Sequence, residues 1–248
     1  KKLKKEDVEN HKISLLGVER KDDFVGIWVN RNAKRKRSSD VIESWKIFLE
    51  NLEEKEGHRK ATLIMHCDPY DPEGANLIQV SEMLGVQDNI VFSNERLEFD
   101  QMNILYNISD FCLNISFAEG FGLSTLESMQ AGTPIIAQKT GGLTRQVVDH
   151  RDGSENGFAL DVEMRTLVGS QNVPYIYEDY VSSETVADSI MKMYLADTAE
   201  RTRLSEKVIK YVESEFNYSD MIDAWDKTLW DSIQNWKERY ERYSVRKV

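Results

Sequence analysis

Short, continuous apolar runs recur along the chain, separated by stretches with helical spacing. DFVGIWVN (23–30), ATLIMHC (61–67), NIVF (89–92), FCLNI (111–115), TPIIAQ (133–138) and GFAL (157–160) show little polar alternation. That pattern predicts strands buried on both faces. Between them, Val41, Ile42, Trp45, Phe48, Leu49 and Leu52 recur at helical spacing, which predicts a helix from Ser38 or Ser39 to about Gly57. Shorter helices are expected over 75–85, over 99–109 and from Leu123 or Ser124 to about Ala131. Strands alternating with helices over 23–160 predict an α/β fold, a Rossmann-like parallel sheet with helices on both faces, and GFAL at an edge.

The flanks read differently. Residues 1–20 are charged and irregular, a lead-in or linker remnant, and the sheet domain spans 21–180. Met164 to Tyr180 shows no clear period and is expected to be an ordered insertion. Residues 181–248 form C-terminal helices over 184–196, 200–216 and 218–243, the last as one helix or two. Ile222, Trp225, Leu229, Ile233, Trp236 and Tyr240 make an aromatic stripe on the last of these. It either covers this domain's own core or docks on a second domain that the chain does not contain.

Composition narrows the class. With 40% hydrophobic residues the 248-residue chain can bury a sizeable core. A net charge of -11 argues against a general nucleic-acid binder. Cys67 and Cys112 lie inside apolar runs without ligand-like spacing and read as core thiols of a reducing compartment. No apolar run is long enough for a transmembrane helix, and no signal-peptide pattern opens the chain. A cytoplasmic protein is expected, with peripheral contact to the cytoplasmic membrane face left open. The start on Lys1 suggests a piece of a longer protein.

The chemistry concentrates in SFAEGFGLSTLE (116–127). A strand, a glycine turn and a helix start present unpaired N–H groups to an anion, and glycine lets the ligand approach the backbone. Glu119 and Glu127, eight positions apart, have no use at a phosphate and suit neutral hydroxyls. Glu127 falls one turn into its helix, so its side chain tilts back toward the turn; the bland reading is a carboxylate stabilising the helix dipole. Glu119 read blandly is an ordinary loop residue. Just past the first strand, Arg31 and Lys36 sit in a run of five cations within 31–37 and can neutralise a diphosphate, unless the run is simply a solvated basic loop. Thr140, Gly141 and Gly142 mark a second glycine turn that could frame the same ligand. These loops share the carboxyl edge of the predicted sheet, where open α/β sheets bind ligands. None of His11, His58, His66 and His150 has ligand-like spacing with another, and His66 reads as structural. The ligand expected is one carrying phosphate, ribose and sugar together.

EGFGLSTLESMQAGTPIIAQKTGG (119–142), with Arg31 and Lys36 five apart, resembles the C-terminal half of GT-B glycosyltransferases, specifically the retaining family 4 enzymes, over roughly residues 20–160. The resemblance implies that Glu127 binds ribose hydroxyls and Glu119 contacts the transferred sugar. It implies that Gly120, Phe121, Gly122 and Leu123 offer backbone N–H groups, with Ser124, Gly141 and Gly142 completing the donor-binding set. Arg31 and Lys36 would stabilise the leaving diphosphate, and the base would lie against Ser93–Leu97. No metal and no cofactor is implied beyond the nucleotide-diphosphate sugar as co-substrate. Asn30 and Arg37 stand where the family usually has glycine, and Arg145 lies where an acidic residue is common. The implied reaction passes a sugar to an acceptor hydroxyl with retention, the acceptor being a glycan, a lipid-linked molecule or a protein. It needs an N-terminal acceptor domain, so donor binding with little transfer is expected of this chain alone. The alternatives are a GT-B phosphorylase or epimerase, and a non-catalytic nucleotide-sugar-binding module.

Overall fold

The apolar runs become six strands of one sheet in the computed structural model, which describes residues 1–239. They are β1 (Phe24–Val29), β2 (Ala61–His66), β3 (Ile90–Ser93), β4 (Phe111–Asn114), β5 (Ile135–Gln138) and β6 (Gly157–Leu160). All pair in parallel, in the order β3-β2-β1-β4-β5-β6. Ile27 of β1 lies opposite Ile64 of β2 on one side and Cys112 of β4 on the other. The chain winds outward from β1 to β3, then returns to β4 at the centre and winds the other way to β6. Connections leaving β1 and β4 therefore diverge at the carboxyl edge and open a crevice between them.

Each face of the sheet carries its own helices. Alternate residues of β1 divide between two buried clusters, Trp28 joining one and Ile27 the other. On the first face, α2 (Ser38–Glu56) contributes Val41, Ile42, Trp45, Phe48, Leu49 and Leu52, and α7 (Ser183–Leu195) contributes Val186 and Ile190. On the second face lie Leu105 and Tyr106 of α4 (Phe99–Asn107), Met129 of α5 (Leu123–Ala131) and Val208 and Val212 of α8 (Thr198–Glu215). Cys67 and Cys112 are buried free thiols, and burial pushes both pKa values up to about 12. The α3 helix (Leu77–Met83) follows β2, and the short α6 (Leu143–Val147) follows β5.

Three regions depart from the sequence reading. Residues Lys5–Leu16 are not irregular but form α1; Leu16 is its only buried residue, so no apolar face announces it. The segment read as an insertion without a period is an antiparallel hairpin, β7 (Met164–Val168) with β8 (Ile176–Tyr180). Most of its side chains are exposed, so the alternation that a half-buried strand would show is missing. The last helix, α9 (Tyr218–Arg239), is continuous over its described length. Ile222, Trp225, Leu229, Ile233 and Trp236 are all exposed, so of the two readings of the stripe, covering this domain's own core is not realised. Tyr240 and the expected helix beyond it, to 243, lie outside the described residues. Among the described helices none is long and apolar enough to cross a membrane.

Candidate functional site

The site begins where β1 and β4 end. After Val29 the chain runs through the basic loop 30–37, tightens into a 3-10 turn over Lys34–Lys36, and enters α2 from Arg37. Buried Asn32 ties this loop to the segment after β2, donating to the carbonyl of Ala75 at 2.8 Å and accepting from the Ser38 hydroxyl at 2.6 Å. After Asn114 the second connection folds back on Asn114 Oδ1, which accepts from the Ser116 amide at 3.1 Å and hydroxyl at 2.7 Å. The two connections touch where the Phe117 amide donates to the Arg35 carbonyl at 3.0 Å.

The second connection then reaches the glycine turn. Gly122 has φ of 88°, and a Cβ there would lie 2.6 Å from the Leu143 side chain. At Gly141, φ is 48° and a Cβ would collide with the Glu119 carbonyl oxygen. The adjacent Gly142 amide donates to that same oxygen at 2.9 Å. Gly141 and Gly142 thus lie behind the first turn and support it. Buried Gln146 of α6 also holds the turn, donating Nε2 to the carbonyls of Phe121 at 2.6 Å and Gly122 at 3.1 Å. With the carbonyls held, the amides of Gly120, Phe121, Gly122, Leu123 and Ser124 have no protein acceptor among the described residues. They lie at the N-terminus of α5, where an anion is favoured.

Lys36, Glu119, Phe121, Gly122, Leu123, Ser124 and Glu127 line one cleft of about 410 Å³, with Val29 and Asn30. Glu119 accepts a hydrogen bond from Lys36, and Arg35 Nη1 stands 3.5 Å from the same oxygen. Both Lys36 and Glu119 are largely buried. Burial lowers the Lys36 pKa, and Glu119 only partly offsets this. Glu127 accepts from the hydroxyl of Tyr106 at 2.8 Å. It also borders a second cleft of about 570 Å³, which includes Arg96, Leu97 and Phe99. The Glu127 carboxylate therefore stands at the junction of two clefts, one of which reaches the loop after β3 where the base was expected.

Arg31 is placed differently. It is exposed and turned toward the segment after β2, where Nε and Nη2 donate to the two carboxylate oxygens of Asp71 at 2.7 and 3.2 Å, with Nη1 3.1 Å from Glu73. This pairing holds the Asp71 carboxyl below its usual range. Arg31 lines a neighbouring cleft of about 370 Å³, and Lys36 borders both. The structure thus gathers Lys36, the Phe121–Ser124 turn and both glutamates, leaves Arg31 next door, and puts Gly141 and Gly142 behind the wall. Sequence reasoning did not single out Arg35, Tyr106, Gln146 or Asp71. Arg35 was visible only as one of five cations, and Tyr106 as one apolar position of a helix. His66 Nδ1 lies 2.9 Å from the Ser93 hydroxyl, away from these clefts. Among the described residues no three His, Cys, Asp or Glu side chains group as a metal-ligand set.

A family model described as "Glycosyl transferases group 1" matches residues 17–168, more than half of the 248. N-acetyl-alpha-D-glucosaminyl L-malate synthase of Bacillus anthracis is 26% identical over 175 residues, covering 65% of this chain and 42% of that protein. The mouse (Mus musculus) GDP-Man:Man(3)GlcNAc(2)-PP-Dol alpha-1,2-mannosyltransferase is 34% identical over 124 residues, covering 48% of this chain and 25% of that protein. The chain thus spans less than half the length of these curated relatives. Among solved structures, a glycosyltransferase from Rickettsia africae superposes with a TM-score of 0.70 at 17% identity, over 94% of this chain and 53% of that one. Anabaena Alr3699/HepE, solved with UDP-glucose, superposes with a TM-score of 0.69 at 18% identity, over 93% and 54%. At such identities the structural likeness speaks for the fold alone.

Proposed function

Because the chain belongs to the group 1 glycosyl transferases, we propose that it carries the donor site of a GT-B transferase of the retaining family 4 type, which moves a sugar from a nucleotide-diphosphate sugar to an acceptor hydroxyl. One observation carries the reading. A lysine, two carboxylates and four residues with unpaired amides at a helix start converge on one cleft at the switch point of a parallel sheet. Glu127, one oxygen held by Tyr106, accepts from ribose hydroxyls. The amides of residues 120–124 and the α5 N-terminus take the diphosphate or the sugar. The nucleotide-sugar names attached to the mouse relative and the Anabaena structure point to the same ligand class.

The bond that breaks joins the anomeric carbon to the diphosphate oxygen, and its electron pair leaves with the nucleoside diphosphate. Cations aimed at that oxygen stabilise the transition state more than the ground state. Lys36 takes this role. Its bond to Glu119 neutralises both groups while the cleft holds no donor; a bound donor takes Lys36 to phosphate and frees Glu119 for a sugar hydroxyl. Arg31 assists from the neighbouring cleft once it exchanges Asp71 for phosphate. No metal enters this scheme. The acceptor belongs to a further, N-terminal domain, with the exposed aromatic face of α9 as a surface for it, so this chain alone binds donor and transfers little.

Calorimetry with UDP, GDP and ADP tests the reading. One of them binds, and Glu127→Ala removes at least tenfold in affinity, since a charge-assisted hydrogen bond is worth about 1.5–3 kcal/mol. Absence of binding to all three would sink it.

A further inference from the structure

Arg37 is the one non-glycine residue with positive φ among those described, at 57°. Such a backbone is unfavourable for a residue with a Cβ and persists only where its surroundings fix it. Here they do. The Arg37 side chain is buried; Nε donates to Asp40 at 2.6 Å and Nη2 to the Val181 carbonyl at 3.0 Å. Its guanidinium lies 5.1 Å from the Phe117 ring centre and 5.5 Å from that of Tyr180, the last residue of the hairpin. The two rings are 4.5 Å apart.

Phe117 is the meeting point. Its amide donates to the Arg35 carbonyl, and its carbonyl accepts from the Asp179 amide at 2.9 Å. The Asp179 carboxylate in turn takes the Thr140 hydroxyl at 2.8 Å and pairs with Arg165. So the base of the β7–β8 hairpin grips both connections at once: one position after Lys36, through Arg37, and two positions before Glu119, through Phe117. Thr140 extends the grip to the turn behind Glu119.

We propose that Arg37, Phe117, Asp179 and Tyr180 form one positioning unit that sets Lys36 and Glu119 against each other across the cleft. The inference rests on the donor-site reading above. None of the four carries the chemistry; they act through their neighbours. Of the two residues they set, only Lys36 faces the diphosphate of a nucleotide lacking sugar. The unit's effect on UDP binding is therefore expected to pass mainly through Lys36.

The test is a coupling measurement on this chain, titrated calorimetrically with UDP and with GDP. Arg37→Gly keeps the left-handed backbone without a Cβ and removes the guanidinium. Tyr180→Ala removes the ring from the hairpin side. Each is expected to weaken nucleotide binding about tenfold in the otherwise unaltered chain and less than twofold when Lys36→Ala is already present, whereas general destabilisation would cost the same in both. Tyr180→Phe, which keeps the ring, should bind like the unaltered chain. Equal losses in both backgrounds, or no loss at all, would overturn the proposal. Amide hydrogen exchange without nucleotide gives an independent readout. The hydrogen-bonded amides of residues 33, 34, 36, 37 and 117 should exchange faster in Arg37→Gly and Tyr180→Ala while the α2 core stays protected; unchanged exchange there also overturns it. If the unaltered chain binds neither nucleotide, the donor-site reading falls, and the exchange result alone decides whether the unit fixes the two loops.

Discussion

The buried Tyr106 hydroxyl donates to Glu127 Oε2 at 2.8 Å, leaving Oε1 without a protein partner among the described residues. Burial, reinforced by Cys112 and the Glu127 charge, pushes the phenol pKa far above its ordinary value. Tyr106 therefore remains a neutral donor wherever the protein is folded, and it anchors half of a carboxylate whose other half is available to ligand. Tyr106→Phe keeps the ring packing and deletes only the anchor. Nucleotide affinity should fall about five- to tenfold, less than the full worth of a hydrogen bond to a charged group, because the bond positions Glu127 without touching the ligand. Calorimetry against the unaltered chain measures it; equal affinity would mean that Glu127 is positioned by its helix alone.

Lys36 should govern turnover. In the complete protein Lys36→Ala is expected to lower kcat by roughly a hundredfold or more, the scale of losing one charge-stabilising group at a transition state. A labelled-sugar transfer assay reads this directly, and kcat within a few fold of the unaltered protein would remove Lys36 from the reaction.

A pH dependence follows from the same side chain. Its burial lowers the pKa from the ordinary lysine value of 10.5. The cation is present below that lowered pKa and lost as pH rises through it, so diphosphate affinity declines at a pH where a solvated lysine would still be charged. UDP titrations at stepwise higher pH should show the decline, and Lys36→Ala should flatten it.

Gly141→Ala probes the wall behind the site. The added Cβ meets the Glu119 carbonyl oxygen, and the backbone at φ 48° disfavours a side chain. A loss of about 1–3 kcal/mol is expected, read as roughly 2–4 °C of Tm per kcal/mol for a chain of this size. The same variant should weaken nucleotide binding, because relief requires the Glu119 loop to move.

The sheet was legible because four of its six strands are almost wholly buried and so appear as continuous apolar runs. The glycine turn and its two carboxylates were legible because φ and close approach restrict which residues can stand there. Arg31 shows the limit. Spacing placed it beside Lys36, yet Asp71 and Glu73, some forty positions on, draw it to the neighbouring cleft. Ion pairs between distant loops leave no period in the sequence. The hairpin and α1 were missed for a related reason: neither buries a regular face, and the hairpin is anchored through Asp179 and Tyr180 rather than through a stripe.

The division of aromatic residues between core and α9 gives the protein a two-colour optical signal. Of its five tryptophans, Trp28 and Trp45 are fully enclosed, while Trp225, Trp230 and Trp236 of α9 face water. The enclosed pair should emit at shorter wavelength and resist acrylamide; the α9 trio should emit further to the red and quench readily. Melting of the sheet would then register in the first population, and anything that comes to rest on α9 in the second. Without any attached label, the chain reports separately on its own integrity and on the covering of that helix.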